Sequence, residues 1–273
     1  MASKPKALLE RLVMPGPYEV LRGDLALVGL PGVVYTPREG LGLPAVAFGH
    51  GWLQPPELYR GLLRHLASWG IVAAAPATQR GPLPSHRLLA TDLRTTLDVV
   101  TSVRLGPDGI SVDPQKLGAA GHSTGGGAAV LAAAESDPAI SAVATFAPAE
   151  TLPSAVEAAR TLRIPGLHLA AEEDLVAPAS AHARAIATAW GGPVQMRTLS
   201  KSTHMGLTEG FHWSRLLLHG KPHYRTQRTV RGLFTAFFRY HLTGEKEYFP
   251  LVDEDVKHAE IDFERATAAH AAR

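Results

Sequence analysis

Gly121-His122-Ser123-Thr124-Gly125 sets a serine between two glycines in the pattern G-x-S-x-G. A serine hydroxyl is a poor nucleophile until a base takes its proton. The pattern has chemical meaning where a strand turns sharply into a helix. Here an apolar run at 117–120 precedes it, and an Ala-rich stretch opens at Gly125. Such a turn strains the backbone at Ser123 and pushes its hydroxyl outward. The helix N-terminus that follows favours negative charge nearby. A phosphate-binding loop is the other Gly-rich possibility, but it requires Gly-Lys-Ser/Thr. Gly125-Gly126-Gly127 is followed by Ala128, which excludes it.

The base and the acid are sought downstream, in the chain order Ser, Asp/Glu, His. Glu172-Glu173-Asp174 follows an apolar run at 166–170. A carboxylate there sits at the carboxyl edge of a sheet, where open α/β sheets place their sites. Asp174 is the expected acid, with Glu172 and Glu173 as rivals. Ser202-Thr203-His204 follows the run at 194–199, which makes His204 the expected base. The chain has 13 histidines, and His212 is the main rival. Asp174 would hold the imidazole tautomer and stabilise the imidazolium without taking the proton. Attack on an ester also builds an oxyanion, which two backbone N–H groups can stabilise. Thr124, after the nucleophile, and Trp52, in Gly49-His50-Gly51-Trp52, are the expected donors. The Trp52 ring would also form a pocket wall.

These residues need a sheet to hold them. Strands are expected at 45–48, 71–75, 117–120, 142–146, 166–170 and 194–199. Most of these runs are continuously apolar, as in parallel strands buried on both faces. Helices are expected at 57–69, 87–103, 125–135 and 179–190, the last opened by Pro178. The alternation predicts a mostly parallel, doubly wound α/β sheet with helices on both faces. Residues 18–35, with their Gly and Pro breaks, suggest antiparallel strands ahead of it. Residues 206–224 lack a clean period and are expected to be an insertion near the site, before a helix at 226–242. Residues 1–252 are expected to be a single domain. The tail 253–273, with Val256, Ala259, Phe263 and Ala266 on one face, is expected to be a helix.

Composition narrows the function classes. The chain has 273 residues, 45% hydrophobic and 19% charged, with a net charge of +2. That is globular and too apolar for disorder. No Lys/Arg run marks a nucleic-acid partner. Cysteine is absent, which excludes disulfides, thiolate metal sites and a cysteine nucleophile. No metal or cofactor is expected, because His212, His219, His223 and His241 carry no metal-binding spacing. No apolar run reaches the roughly 18 residues of a membrane span. Residues 1–10 lack the apolar run of a signal peptide, so a cytoplasmic protein is expected. The oligomeric state is left open between monomer and homodimer.

Together these pieces resemble the α/β-hydrolase superfamily. Within it, the chain is similar to the bacterial cutinase and polyester hydrolase group, with its chlorophyllase and platelet-activating-factor acetylhydrolase relatives. The likeness runs from about Gly32 to Leu251. It rests on residues 32–35, His50-Gly51-Trp52, residues 121–127, Ala147-Pro148, Asp174 with Ala177-Pro178, and Ser202-Thr203-His204. The resemblance implies an α/β-hydrolase fold and a serine carboxylic ester hydrolase with an acyl-enzyme intermediate. It implies Ser123 as nucleophile, His204 as base and Asp174 as acid, with Trp52 and Thr124 as oxyanion donors. Trp52, His122 and Ala149 would bind substrate.

The chain also departs from that group. Secreted cutinases carry a leader and usually a disulfide; residues 1–10 do not read as a leader, and the chain has no cysteine. Ala149 stands where they carry a stacking aromatic, and residues 206–224 are longer. A small or lipid-like ester is therefore expected in place of a polymer. Thioesterases and amidases share the triad, and a non-catalytic ligand-binding protein on a hydrolase fold is the alternative of a different class. A dehalogenase or epoxide hydrolase would need Asp at position 123.

Overall fold

Continuously apolar runs mark most of the strands. In the computed structural model, which describes residues 5–135, 139–216, 218 and 220–266, the described strands form one nine-stranded sheet. The strands are β1 (Val20–Asp24), β2 (Gly32–Pro37), β3 (Leu43–Gly49), β4 (Val72–Pro76), β5 (Val112–His122), β6 (Ala142–Phe146), β7 (Gly166–Ala171), β8 (Val194–Leu199) and β9 (Ala259–Arg265). Their order is β1-β2-β4-β3-β5-β6-β7-β8-β9. Strands β3 to β8 pair in parallel, while β1, β2 and β9 are antiparallel to their neighbours. This is the α/β-hydrolase arrangement expected from the sequence.

Helices cover both faces, as continuously apolar strands require. They are α1 (Pro5–Leu12), α2 (Arg60–Ser68), α3 (His86–Ser102), α4 (Thr124–Ala134), α5 (Ala155–Ala159), α6 (Ala183–Ala189), α7 (Tyr224–Thr243) and α8 (Phe249–Asp253). One core joins α1, α2 and α7 through Leu12, Leu62, Leu66 and Phe234 to Val46 and Phe48 of β3. The other joins α3, α4 and α6 through Leu93, Val130 and Ile186 to Ala45 and Ala47 of the same strand. Alternate residues of β3 thus feed opposite layers. Each fully buried Leu contributes about 1.5–3 kcal/mol.

The strand order sets the position of the site. From β3 the chain runs to β4 on one side, then crosses back to β5 on the other. The carboxyl ends of β3 and β5 therefore lie side by side, with Gly49 opposite Gly121. Such a reversal is the topological switch point at which open α/β sheets bind ligands.

Three expectations are corrected. Residues 259–265 form a strand, not part of a tail helix. Ala259, Ile261 and Phe263 also fit a period of two, His258 breaks any helix with φ +70°, and β8 offers an open edge. The buried Arg197 fastens this end, donating to Ala259 O at 3.1 Å and to Leu251 O at 3.0 Å. Tail residues 267–273 lie outside the described residues. The helix expected at 179–190 is shorter, because His182 leaves helical geometry at φ −123°, ψ −87°. The helix expected at 57–69 opens as a 3₁₀ turn, Pro56–Tyr59, before α2. Helix α1, unexpected from the sequence, buries Leu8 and Leu12. The described part of 206–224 holds 3₁₀ turns at His204–Leu207 and Trp213–Leu216. Among the described residues, no helix is long and apolar enough to cross a membrane.

Candidate active site

Strand β5 ends at His122, and the chain turns at Ser123 into α4. Ser123 adopts φ 55°, ψ −127°, a conformation that non-glycine residues avoid. Such a backbone costs about 1–3 kcal/mol and persists only where the surroundings over-determine it. Here Ser123 N–H donates to Phe146 O at 3.2 Å, and Ser123 O accepts from Gly126 and Ala149 at 2.9 Å. The motif glycines have a steric cause. A β-carbon on Gly121 would lie 2.2 Å from Gly125 O, and one on Gly125 would lie 2.2 Å from Gly49 O.

The loops after β7 and β8 bring Asp174 and His204 to this turn. His204 Nε2 lies 2.9 Å from Ser123 Oγ, and His204 Nδ1 lies 2.8 Å from Asp174 Oδ2. Both His204 and Asp174 side chains are essentially sealed from solvent. Asp174 Oδ1 accepts the N–H groups of Val176 at 2.9 Å and Ala177 at 2.8 Å. Those bonds fix the carboxylate and leave Oδ2 for the imidazole. Since a carboxylate only accepts, Nδ1 carries a proton, and in the neutral ring Nε2 is the acceptor that faces the serine hydroxyl. The rivals lie elsewhere. Glu172 and Glu173 are exposed, with Glu172 accepting from Lys201 N at 2.7 Å. His212 pairs with Ser214 Oγ at 2.9 Å.

Trp52 follows the end of β3, and Thr124 opens α4. Among the described residues, neither backbone N–H is engaged in a hydrogen bond. The half-buried Trp52 ring donates from Nε1 to Pro82 O at 3.0 Å, spanning to the loop after β4. His50 is buried behind this loop, its Nε2 lying 2.7 Å from Thr78 O. Ala149 is half-buried, bonded through its N–H to the carbonyl of Ser123.

His122 differs from expectation. Its ring is 0% exposed, so it lines no cleft. Its nitrogens are taken up by Tyr59 Oη at 2.8 Å and His204 O at 2.9 Å. Burial, and then the neighbouring His204, hold its pKa well below the ordinary histidine value. Tyr59 was not singled out in the sequence. It stands beside Leu58 in a stretch read as an amphipathic helix, where an aromatic reads as core, and nothing local tells where its hydroxyl points.

Several exposed apolar side chains lie on loops at this edge of the sheet. Leu83 is 97% exposed, Leu152 83%, Leu175 72% and Phe211 76%. They lie on loops leaving the carboxyl ends of β4, β6, β7 and β8, the same end as Ser123. Hydrogen bonds cross between these loops, Leu152 N–H to His86 Nδ1 at 3.1 Å and Glu150 N–H to His182 Nδ1 at 2.9 Å. Among the described residues, no group of three or more His, Asp or Glu side chains could hold a metal ion.

No curated protein matches the chain. A protein-family model does, the one described as PET hydrolase-like, over residues 15–192. That span is well over half of the chain and includes the loop after β3, the turn at Ser123 and Asp174. His204 lies beyond it. The strand order, the turn at Ser123 and this match agree: the chain belongs to the PET hydrolase-like family, α/β-hydrolases that act on esters.

Proposed function

We propose that the protein is a serine carboxylic ester hydrolase acting through Ser123, His204 and Asp174. One observation carries the proposal: an unbroken chain from Ser123 Oγ to His204 (2.9 Å) to Asp174 (2.8 Å) at the switch point of the sheet. In this mechanism Ser123 Oγ attacks the ester carbonyl as His204 Nε2 takes its proton. Asp174 stabilises the imidazolium without accepting the proton. The N–H groups of Thr124 and Trp52 stabilise the tetrahedral oxyanion. His204 then protonates the departing alcohol, leaving an acyl group on Ser123. Water, deprotonated by His204, attacks this acyl-enzyme and releases the acid.

The substrate we favour is a small or lipid-like ester. Leu83, Leu152, Leu175 and Phe211 give the site an apolar rim suited to an acyl chain or a lipid surface. Ala149 offers no ring on which a flat aromatic acid could stack.

Hydrolysis of p-nitrophenyl esters from acetyl to palmitoyl, with Ser123→Ala in parallel, tests the proposal. Turnover should vanish in the variant, and the chain-length optimum should size the acyl pocket. Absence of turnover at every length overturns the ester assignment. Fluorophosphonate labelling of Ser123 in that case would favour thioesters or amides, and lack of labelling a binding protein.

A further inference from the structure

Tyr59 and His122 make and break no bonds in this mechanism, yet both are 0% exposed polar side chains at its centre. Burying a hydroxyl and an imidazole is costly unless both are hydrogen-bonded. Tyr59 Oη accepts the N–H of Gly51 at 3.0 Å and lies 2.8 Å from His122 Nδ1. His122 Nε2 lies 2.9 Å from the main-chain oxygen of His204. A carbonyl only accepts, so Nε2 carries a proton. Burial keeps the ring neutral, which leaves Nδ1 bare to accept from the Tyr59 hydroxyl. The Tyr59 hydroxyl also donates to Gln54 Oε1, which lies 3.2 Å from the same Nδ1, so one proton serves two acceptors.

The chain has a direction and two informative ends. One end is Gly51, the residue before the oxyanion donor Trp52. The other is the backbone of His204. Its middle member, His122, directly precedes Ser123. We propose that Tyr59 and His122 are positioning residues, a buried relay that holds the oxyanion loop and the His204 main chain in register around Ser123. The proposal rests on the ester-hydrolase reading above. Oxyanion donors and base act in the transition state, so losing the relay should lower kcat and spare KM.

Tyr59→Phe removes the hydroxyl and keeps the ring against Phe48, with centroids 4.7 Å apart. On p-nitrophenyl butyrate, kcat should fall at least ~10-fold with KM within about twofold, since small misplacements at a reacting centre cost up to ~100-fold. Fluorophosphonate titration would count competent sites, so unfolded protein does not enter kcat. His122→Gln can still donate to the His204 carbonyl, whereas His122→Leu cannot. The Gln variant should retain several-fold more kcat than the Leu variant, and this pair decides the matter if Tyr59→Phe does not fold. Tyr59→Phe with wild-type kcat, a loss confined to KM, or equal Gln and Leu variants would overturn the relay alone. A wild-type protein without Ser123-dependent hydrolysis would overturn the ester reading, and the relay with it.

Discussion

Gly49 and Gly125 meet backbone to backbone. A β-carbon on Gly125 would lie 2.2 Å from Gly49 O, and one on Gly49 would lie 2.5 Å from Gly125 O. Gly49 ends β3 and leads to Trp52, while Gly125 follows Thr124 at the start of α4. The contact therefore sets the separation of the two N–H groups proposed to hold the oxyanion. Methyl-free backbone at both positions is a condition of the site and not only of the turn.

Gly125→Ala should lose both stability and turnover. Overpacking of this kind costs about 1–3 kcal/mol. Moving one oxyanion donor should lower kcat by ~100-fold or more. Gly81→Ala is the matched control, since a β-carbon there meets nothing within 4 Å. Thermal melts and p-nitrophenyl ester kinetics on both variants check this. Equal behaviour of the two would show that the backbone contact is dispensable.

The same local chemistry explains what was legible in the sequence. Apolar runs marked β3 to β7, because strands covered on both faces leave little choice of residue, and an alternating run marked β8. Ser123, Asp174 and His204 could be proposed from their positions just past strand ends, and the structure places them in one hydrogen-bonded chain. The side chain of His122 was not legible, because an imidazole beside a nucleophile can face a cleft or the core. Which it faces depended on Tyr59, distant in sequence. Strand β9 was hidden by a spacing that fits a helix as well as an edge strand. Only the open edge of β8 and the bonds of Arg197 decide between them.

Asp174→Asn should keep the fold and lower kcat by ~10³–10⁴-fold. An Asn oxygen can still accept the N–H groups of Val176 and Ala177, so the loop should hold. Its amide nitrogen would then face His204 Nδ1 and drive the imidazole proton to Nε2. That nitrogen could no longer take the proton of Ser123. Turnover within tenfold of wild type, in protein with an unchanged melting temperature, would remove Asp174 from its proposed role.

Leu83→Ser combined with Leu152→Ser should separate dispersed from aggregated substrate. Both side chains are more than four-fifths exposed, so stability should stay within about 0.5 kcal/mol. Hydrolysis of p-nitrophenyl acetate in solution should be unchanged. Hydrolysis of long-chain esters presented in micelles or vesicles should fall several-fold. An equal effect on both substrates would show that the rim does not engage a lipid surface.

Acid should destabilise the fold well above the pH at which most carboxylates titrate. Burial lowers the His65 pKa to about 4 and that of His168 to about 3. His65 Nε2 lies 2.8 Å from Leu12 O, and His168 Nδ1 lies 2.8 Å from Thr145 Oγ1. Below the ordinary histidine value near 6.5 the unfolded chain takes up protons at both residues and the folded chain does not. The unfolded state then binds more protons, so stability rises with pH and is lost on acidification from 6.5 towards 4. At pH 5 the loss should be about 2 kcal/mol for each histidine. His168→Asn keeps a partner for Thr145 and removes one titrating group. Urea unfolding at pH 7 and pH 5 should show a pH-dependent loss smaller in this variant by about 2 kcal/mol. An unchanged difference between the two pH values would mean that His168 is protonated in the folded protein, or that its burial is relieved before unfolding.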